Sequence, residues 1–149
     1  MPTLQETITG AWKDALRAGE NNRRDTLSSL RAAIKNAEIE ARAPLSDEAV
    51  QTVVNKEAKK RREAIEEYGK AGRPDLAAIE QGELEILSAY LPVQMSEAEL
   101  RALVAASVAQ VGATSPKDMG AVMKVLQPQI AGRADGKTAS NMVKEALAG

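Results

Sequence analysis

Apolar residues recur at three- and four-residue steps along most of the chain, and polar or glycine-bearing breaks divide them into seven helical segments. Leu4, Ile8, Ala11, Trp12, Ala15 and Leu16 form the first stripe, opened by a Thr3/Glu6 capping box and stopped at Gly19. Asn21 or Asn22 caps a second helix with the stripe Leu27, Leu30, Ile34, Ala37 and Ala41, which Pro44 closes. Ser46, with Asp47 and Glu48 behind it, opens a third helix reaching about Tyr68. Its stripe runs Val50, Val53 or Val54, Ala58, Ile65 and Tyr68, and Arg61 stands where an apolar residue is due. Gly69, Gly72 and Pro74 break the chain again. A fourth helix carrying Leu76, Ile79, Leu84, Ile86, Leu87 and Tyr90 follows and ends near Leu91-Pro92.

Pro92 to Met95 reads as a domain boundary, giving an N-terminal domain over 1–93 and a C-terminal domain over 94–149. Ser96 and Glu99 make another capping box, ahead of Leu100, Leu103, Val104, Val108 and Val111, with Gly112 as the stop. Ser115, Pro116 and Asp118 then open a helix bearing Met119, Val122, Met123 and Leu126 on one face. Gly120 in its first turn costs about 1 kcal/mol of helix propensity relative to Ala, which points to a close helix crossing. The predicted fold is all-α, with about four helices in the N-terminal domain and three, near 96–111, 115–129 and 136–148, in the small C-terminal one.

Composition narrows the chemistry. The chain has 149 residues, no Phe, one Trp and two Tyr, so its cores must be built from Leu, Ile, Val, Met and Ala. It has no Cys and no His, which removes disulfides, thiolate nucleophiles, imidazole catalysis and the usual zinc ligand sets. No signal-peptide pattern and no membrane-length apolar run is visible, so the expected compartment is the cytoplasm, with no membrane partner and no cofactor.

Net charge is −1, against a strongly basic nucleic-acid binder, but the charge is unevenly spread. Residues 110–149 hold five cations, Lys117, Lys124, Arg133, Lys137 and Lys144, against Asp118, Asp135 and Glu145, a balance of +2. The run Lys59-Lys60-Arg61-Arg62 spreads around a helix, and Lys59/Glu63 and Arg62/Glu66 are spaced for intrahelical pairs, which favours a solvated face. Lys56 and Lys60, four apart, are the cations of that region able to meet a phosphate together. Glu80, Glu83 and Glu85 read as solubilising surface rather than a metal or acid-base site. Ala131 to Thr138, AGRADGKT, approaches a phosphate-loop pattern, but a helix precedes it where that loop requires a strand. Gly132 therefore reads as a left-handed helix stop, and Asp135 as the cap of the last helix.

KDMGAVMK followed by GRADGKTASNMVKEAL resembles the C-terminal helical domain shared by YqeY-like proteins and the B subunit of the tRNA-dependent Asp/Glu amidotransferase. Upstream, LRAAIKNAEIE and EAKKRREAIEEYGKAGRPDLAAIEQGELEILSAYLP are similar to the N-terminal helical domain of YqeY proteins, so the resemblance covers nearly the whole chain. It implies a tRNA-contacting helical module, kin to carbon-nitrogen ligases that use glutamine as amide donor, with no catalytic kinase-transamidase region among these residues. The expected partners are tRNA and an amidotransferase or another aminoacyl-tRNA enzyme. Lys117, Lys124, Arg133, Lys137 and Lys144 would meet phosphate and ribose, and Asn141 would add a hydrogen bond; no catalytic or metal-binding residue is expected. The competing reading is a protein-interaction adaptor that docks a partner helix on an exposed surface of Met119, Met123, Met142 or Val143.

Overall fold

A computed structural model describes residues 1–148 and, among them, contains seven α-helices and no strand. The chain divides into two compact units, Met1–Leu91 and Pro92–Gly149.

In the first unit, α1 (Leu4–Ala18) starts with a reciprocal capping box. The Thr3 hydroxyl accepts from the Glu6 amide and the Glu6 carboxylate accepts from the Thr3 amide, both at 3.1 Å. The Leu4 amide donates to Asp47 at 2.9 Å, so a carboxylate distant in sequence satisfies a further amide at this helix end. Gly19 ends α1 at φ 71°, in the left-handed region that glycine enters without penalty. The second helix, α2 (Asn21–Ala41), starts where an Asn cap was expected, but the cap position is Glu20 and makes no side-chain cap bond. It ends before Pro44, because the residue preceding a proline is driven toward extended backbone. Arg42 takes the left-handed turn at φ 55°, the one non-glycine residue with positive φ among the described residues.

The third helix, α3 (Asp47–Lys70), is capped by the Ser46 hydroxyl and is longer than its apolar stripe. It packs along α4 (Pro74–Ser88), as α1 packs along α2. Ile8, Leu27, Leu30, Ile34, Val50, Val54 and Leu87 form the buried core of this unit. Each such aliphatic side chain contributes roughly 2 kcal/mol on leaving water.

The second unit holds α5 (Glu97–Val111), a 3₁₀ turn (Pro116–Asp118), α6 (Met119–Ile130) and α7 (Gly136–Ala148). Its core is Leu100, Val104, Val122, Leu126, Ile130, Ala139, Met142, Val143 and Leu147. Two expectations change here. A Cβ placed on Gly120 would meet nothing within 4 Å, so no helix crosses at that glycine. Met142 and Val143 are buried, so they offer no surface to a partner helix, and Met119 and Met123 pack against the same core while staying partly exposed.

Candidate nucleic-acid interface

In the second unit, the loop between α6 and α7 is organised by its backbone. Gly132 adopts φ 74° after the last turn of α6. A Cβ there would stand 3.7 Å from Pro92, an ordinary contact, so the dihedral rather than crowding selects glycine. The Arg133 and Ala134 amides both return to the Ile130 carbonyl, at 2.8 and 3.0 Å. The Asp135 carbonyl accepts the Ala139 amide at 3.0 Å, and its carboxylate accepts from the Thr138 hydroxyl at 3.1 Å. Lys137 and Thr138 thus lie in the first turn of a helix, with no strand before the loop, and the phosphate-loop geometry is absent.

The segment entering this unit is sewn onto the same loop. The Met95 amide donates to the Arg133 carbonyl at 2.8 Å, and the Gln94 side-chain amide donates to the Pro92 and Gly132 carbonyls at 2.8 and 2.9 Å. Arg133 Nε donates to the Val93 carbonyl at 2.9 Å, and its terminal nitrogen lies 3.7 Å from Glu99. Sequence reasoning made Arg133 a phosphate contact; the fold makes it a strut with about two-fifths of its side chain exposed, 39%.

The remaining candidates are different. On α7, Ala139, Met142, Val143 and Leu147 face the core, and Lys137, Asn141 and Lys144 lie on the opposite side. Steps of four and three residues align those three in one exposed row about 10 Å long, at 1.5 Å rise per residue. Lys124 projects from the outer face of α6, opposite Val122, Leu126 and Ile130, and Lys117 is exposed on the 3₁₀ turn.

All five carboxylates of the described part of this unit are engaged. Glu97 and Glu145 lie 2.9 and 3.9 Å from Arg101, and Glu99 lies beside Arg133. Asp118 accepts the Thr114 and Ser115 amides at 2.9 and 3.3 Å, and Asp135 holds Thr138. Lys117, Lys124 and Lys144 pair with none of them among the described residues. Those three lysines are therefore free of ion pairs among the described residues, while Asp118 and Asp135, bonded to neutral amide and hydroxyl groups, keep their negative charge.

The first unit shows what the stripe pattern concealed. Arg61 sits in the apolar register of α3 because carboxylates surround it: Glu57 at 3.7 Å, Glu80 at 4.0 Å and Glu83 at 3.4 Å. Glu80 and Glu83 are 22% and 31% exposed, so they are not the solubilising surface expected of them. Burial, then hydrogen bonding to Glu83 and the charge of Glu83, hold the Glu80 carboxyl above its ordinary range, with Arg61 pulling the other way. Lys60 is tied to Glu57 at 2.9 Å, which removes the Lys56/Lys60 pair as two open cations. The three carboxylates belong to no cluster able to hold a metal ion among the described residues. The polar interruption at Arg61, with Glu80 and Glu83 three apart on the next helix, was the available signal for this network.

With this geometry in place, comparison with known proteins gives consistent relatives. A family model described as Yqey-like protein matches residues 5–147. A protein of Eremothecium gossypii named altered inheritance of mitochondria protein 41, mitochondrial, is 39% identical over 89 residues, 57% of this chain and 49% of the relative. The protein of the same name in Lachancea thermotolerans is 36% identical over 108 residues, 70% of this chain and 57% of the relative. Its counterpart in Pyrenophora tritici-repentis is 28% identical over 151 residues, 99% of this chain and 80% of the relative. The chain thus spans about half the length of the first two relatives. Their names correct the cytoplasmic expectation. These relatives are mitochondrial by name, and that expectation rested on a missing apolar run, which does not distinguish one aqueous compartment from another.

Proposed function

This chain belongs to the YqeY-like protein family, and from that premise we propose that it is a helical module that binds tRNA beside an amidotransferase or another aminoacyl-tRNA enzyme. The family is related to the C-terminal helical domain of the B subunit of the tRNA-dependent Asp/Glu amidotransferase, which supports a tRNA ligand. The observation that carries the reading is the set of lysines in the second unit that make no ion pair among the described residues. Lys117, Lys124 and Lys144 are exposed with no carboxylate partner among the described residues, and Lys144 shares its row with Lys137 and Asn141. Residues 92–148 contain no aromatic side chain, so base stacking has no platform there. Recognition through this unit then runs through phosphate, ribose and helical shape, with Asn141 donating to a backbone or ribose oxygen.

The test is tRNA binding by electrophoretic mobility shift at about 50 and 200 mM salt. Four lysine–phosphate contacts predict a loss of affinity on the order of a hundredfold across that range. Affinity indifferent to salt, or no complex at the lower salt, would reject the reading. The adaptor alternative loses Met142 and Val143, which lie in the core, and keeps the partly exposed Met119 and Met123.

A further inference from the structure

The first unit holds a second group of unspent donors, in the groove between α1 and α2. The two helices run antiparallel, as bonds from the start and the middle of α1 show, the later residue of α1 reaching the earlier residue of α2. Gln5 donates to Glu38 at 3.2 Å, and Trp12 Nε1 donates to Ser28 at 2.8 Å. Between those ties lies a hollow of about 180 Å³ lined by Gln5, Thr9, Arg31, Ile34, Lys35 and Glu38. Arg31, Lys35 and Glu38 stand at steps of four and three residues on α2, facing Gln5 and Thr9, four apart on α1. Buried Ile34 forms the apolar floor.

The guanidinium of Arg31 lies 4.2 Å over the Trp12 ring, and the Ser28 bond anchors the indole beneath it. A cation–π stack fixes the plane of an arginine without using its N–H donors. Among the described residues Arg31 makes no ion pair, Lys35 has no carboxylate partner, and the Thr9 hydroxyl makes no hydrogen bond. Glu38 is the one carboxylate in the lining, and the Gln5 amide already binds it. The hollow is smaller than the roughly 300 Å³ at which pockets begin to hold drug-sized ligands, so its occupant is a small group rather than a whole cofactor.

We propose that this groove is a phosphate-binding site, in which Arg31, oriented by Trp12, takes two phosphate oxygens while Lys35 and the Thr9 hydroxyl take the others. Planar two-point contact with a tetrahedral oxyanion suits a stacked arginine, and the lysine adds a compact second charge. The phosphate is either a free monoester or one diester unit of a nucleic-acid backbone. The inference uses residues of the first unit alone and stands or falls apart from the tRNA reading.

Trp12 is the only tryptophan in the chain and therefore reports on this site. Inorganic phosphate titrated at constant ionic strength should change Trp12 emission saturably, and isothermal calorimetry should give the same midpoint. Lys35→Gln, an exposed position that leaves the Arg31–Trp12 stack in place, should weaken binding at least tenfold. Arg31→Gln should abolish it, and Glu38→Gln should tighten it severalfold by removing the one opposing charge. Dimethyl phosphate separates the two sources. Binding equal to that of phosphate marks a backbone diester as the ligand, and much weaker binding marks a monoester. The proposal is overturned by no saturable response in either measurement, by an equal response to acetate or chloride, or by a midpoint unchanged in Lys35→Gln with helical content intact.

Discussion

Arg61 on α3 and Glu83 on α4 stand 3.4 Å apart, and this contact explains a charged residue in an apolar register. Arg61 is 15% exposed and also faces Glu57, itself 10% exposed, so the network is largely withdrawn from water. Removing the arginine leaves three carboxylates facing one another, and an uncompensated buried charge is far more costly than a missing pair. Arg61→Ala should destabilise the protein by about 2 kcal/mol, reduced from the fully buried case because Glu80 and Glu83 retain some solvent. A urea midpoint within a few tenths of the parent value would show that solvent alone screens the cluster.

Glu80 gives the same network a pH signature. Its carboxyl is held above the ordinary range by burial first and by Glu83 second, so the folded state binds this proton more tightly than the unfolded chain does. Stability from this group therefore rises as pH falls from neutrality toward the unfolded value of 4.5, and is lost as pH rises through the folded value. Glu80→Gln should raise the thermal midpoint at pH 7 and flatten the dependence between pH 7 and 5. Thermal melts across that window check it; equal slopes in parent and variant would assign the pH response elsewhere.

Local signals were the legible ones. Gly19 and Gly132 carry the left-handed dihedrals their positions implied, and Thr3/Glu6 and Ser46 cap as their spacing required, because each depends on residues within a few positions. Arg42 was not legible, since the Pro44 that forces the turn does not specify which earlier residue bends. The inward turn of Glu80 and Glu83 depends on the register of α4 against α3. That register also explains Arg61, but no window along one helix contains it. The candidate lysines were legible as charges. Which stay uncancelled was not, because that depends on where Arg101 and Arg133 draw their carboxylates.

Ser107 tests the packing of the second unit. It is 1% exposed, and its hydroxyl has no hydrogen-bond partner among the described residues. A buried unsatisfied hydroxyl loses its water without replacement, so deleting it should relieve strain rather than open a cavity. Ser107→Ala should stabilise by up to about 1 kcal/mol, partly through the better helix propensity of alanine. Loss of stability by chemical denaturation would reveal a partner for this oxygen.

Lys144 and Arg133 separate a ligand role from a scaffolding one within the same charged segment. Lys144 is exposed on the outer row of α7 with no carboxylate partner among the described residues, so its contribution to tRNA affinity should be a released counterion. Lys144→Ala should lower the slope of log affinity against log salt by about one and leave the unfolding midpoint unchanged. Arg133 spends Nε on the Val93 carbonyl and faces Glu99, so Arg133→Ala should cost about 1 kcal/mol of stability and change the salt slope far less. Parallel salt titrations and melts of the two variants decide the matter. If Arg133→Ala lowers the slope as much as Lys144→Ala does, the guanidinium contacts phosphate in the complex, and its bond to Val93 gives way on binding.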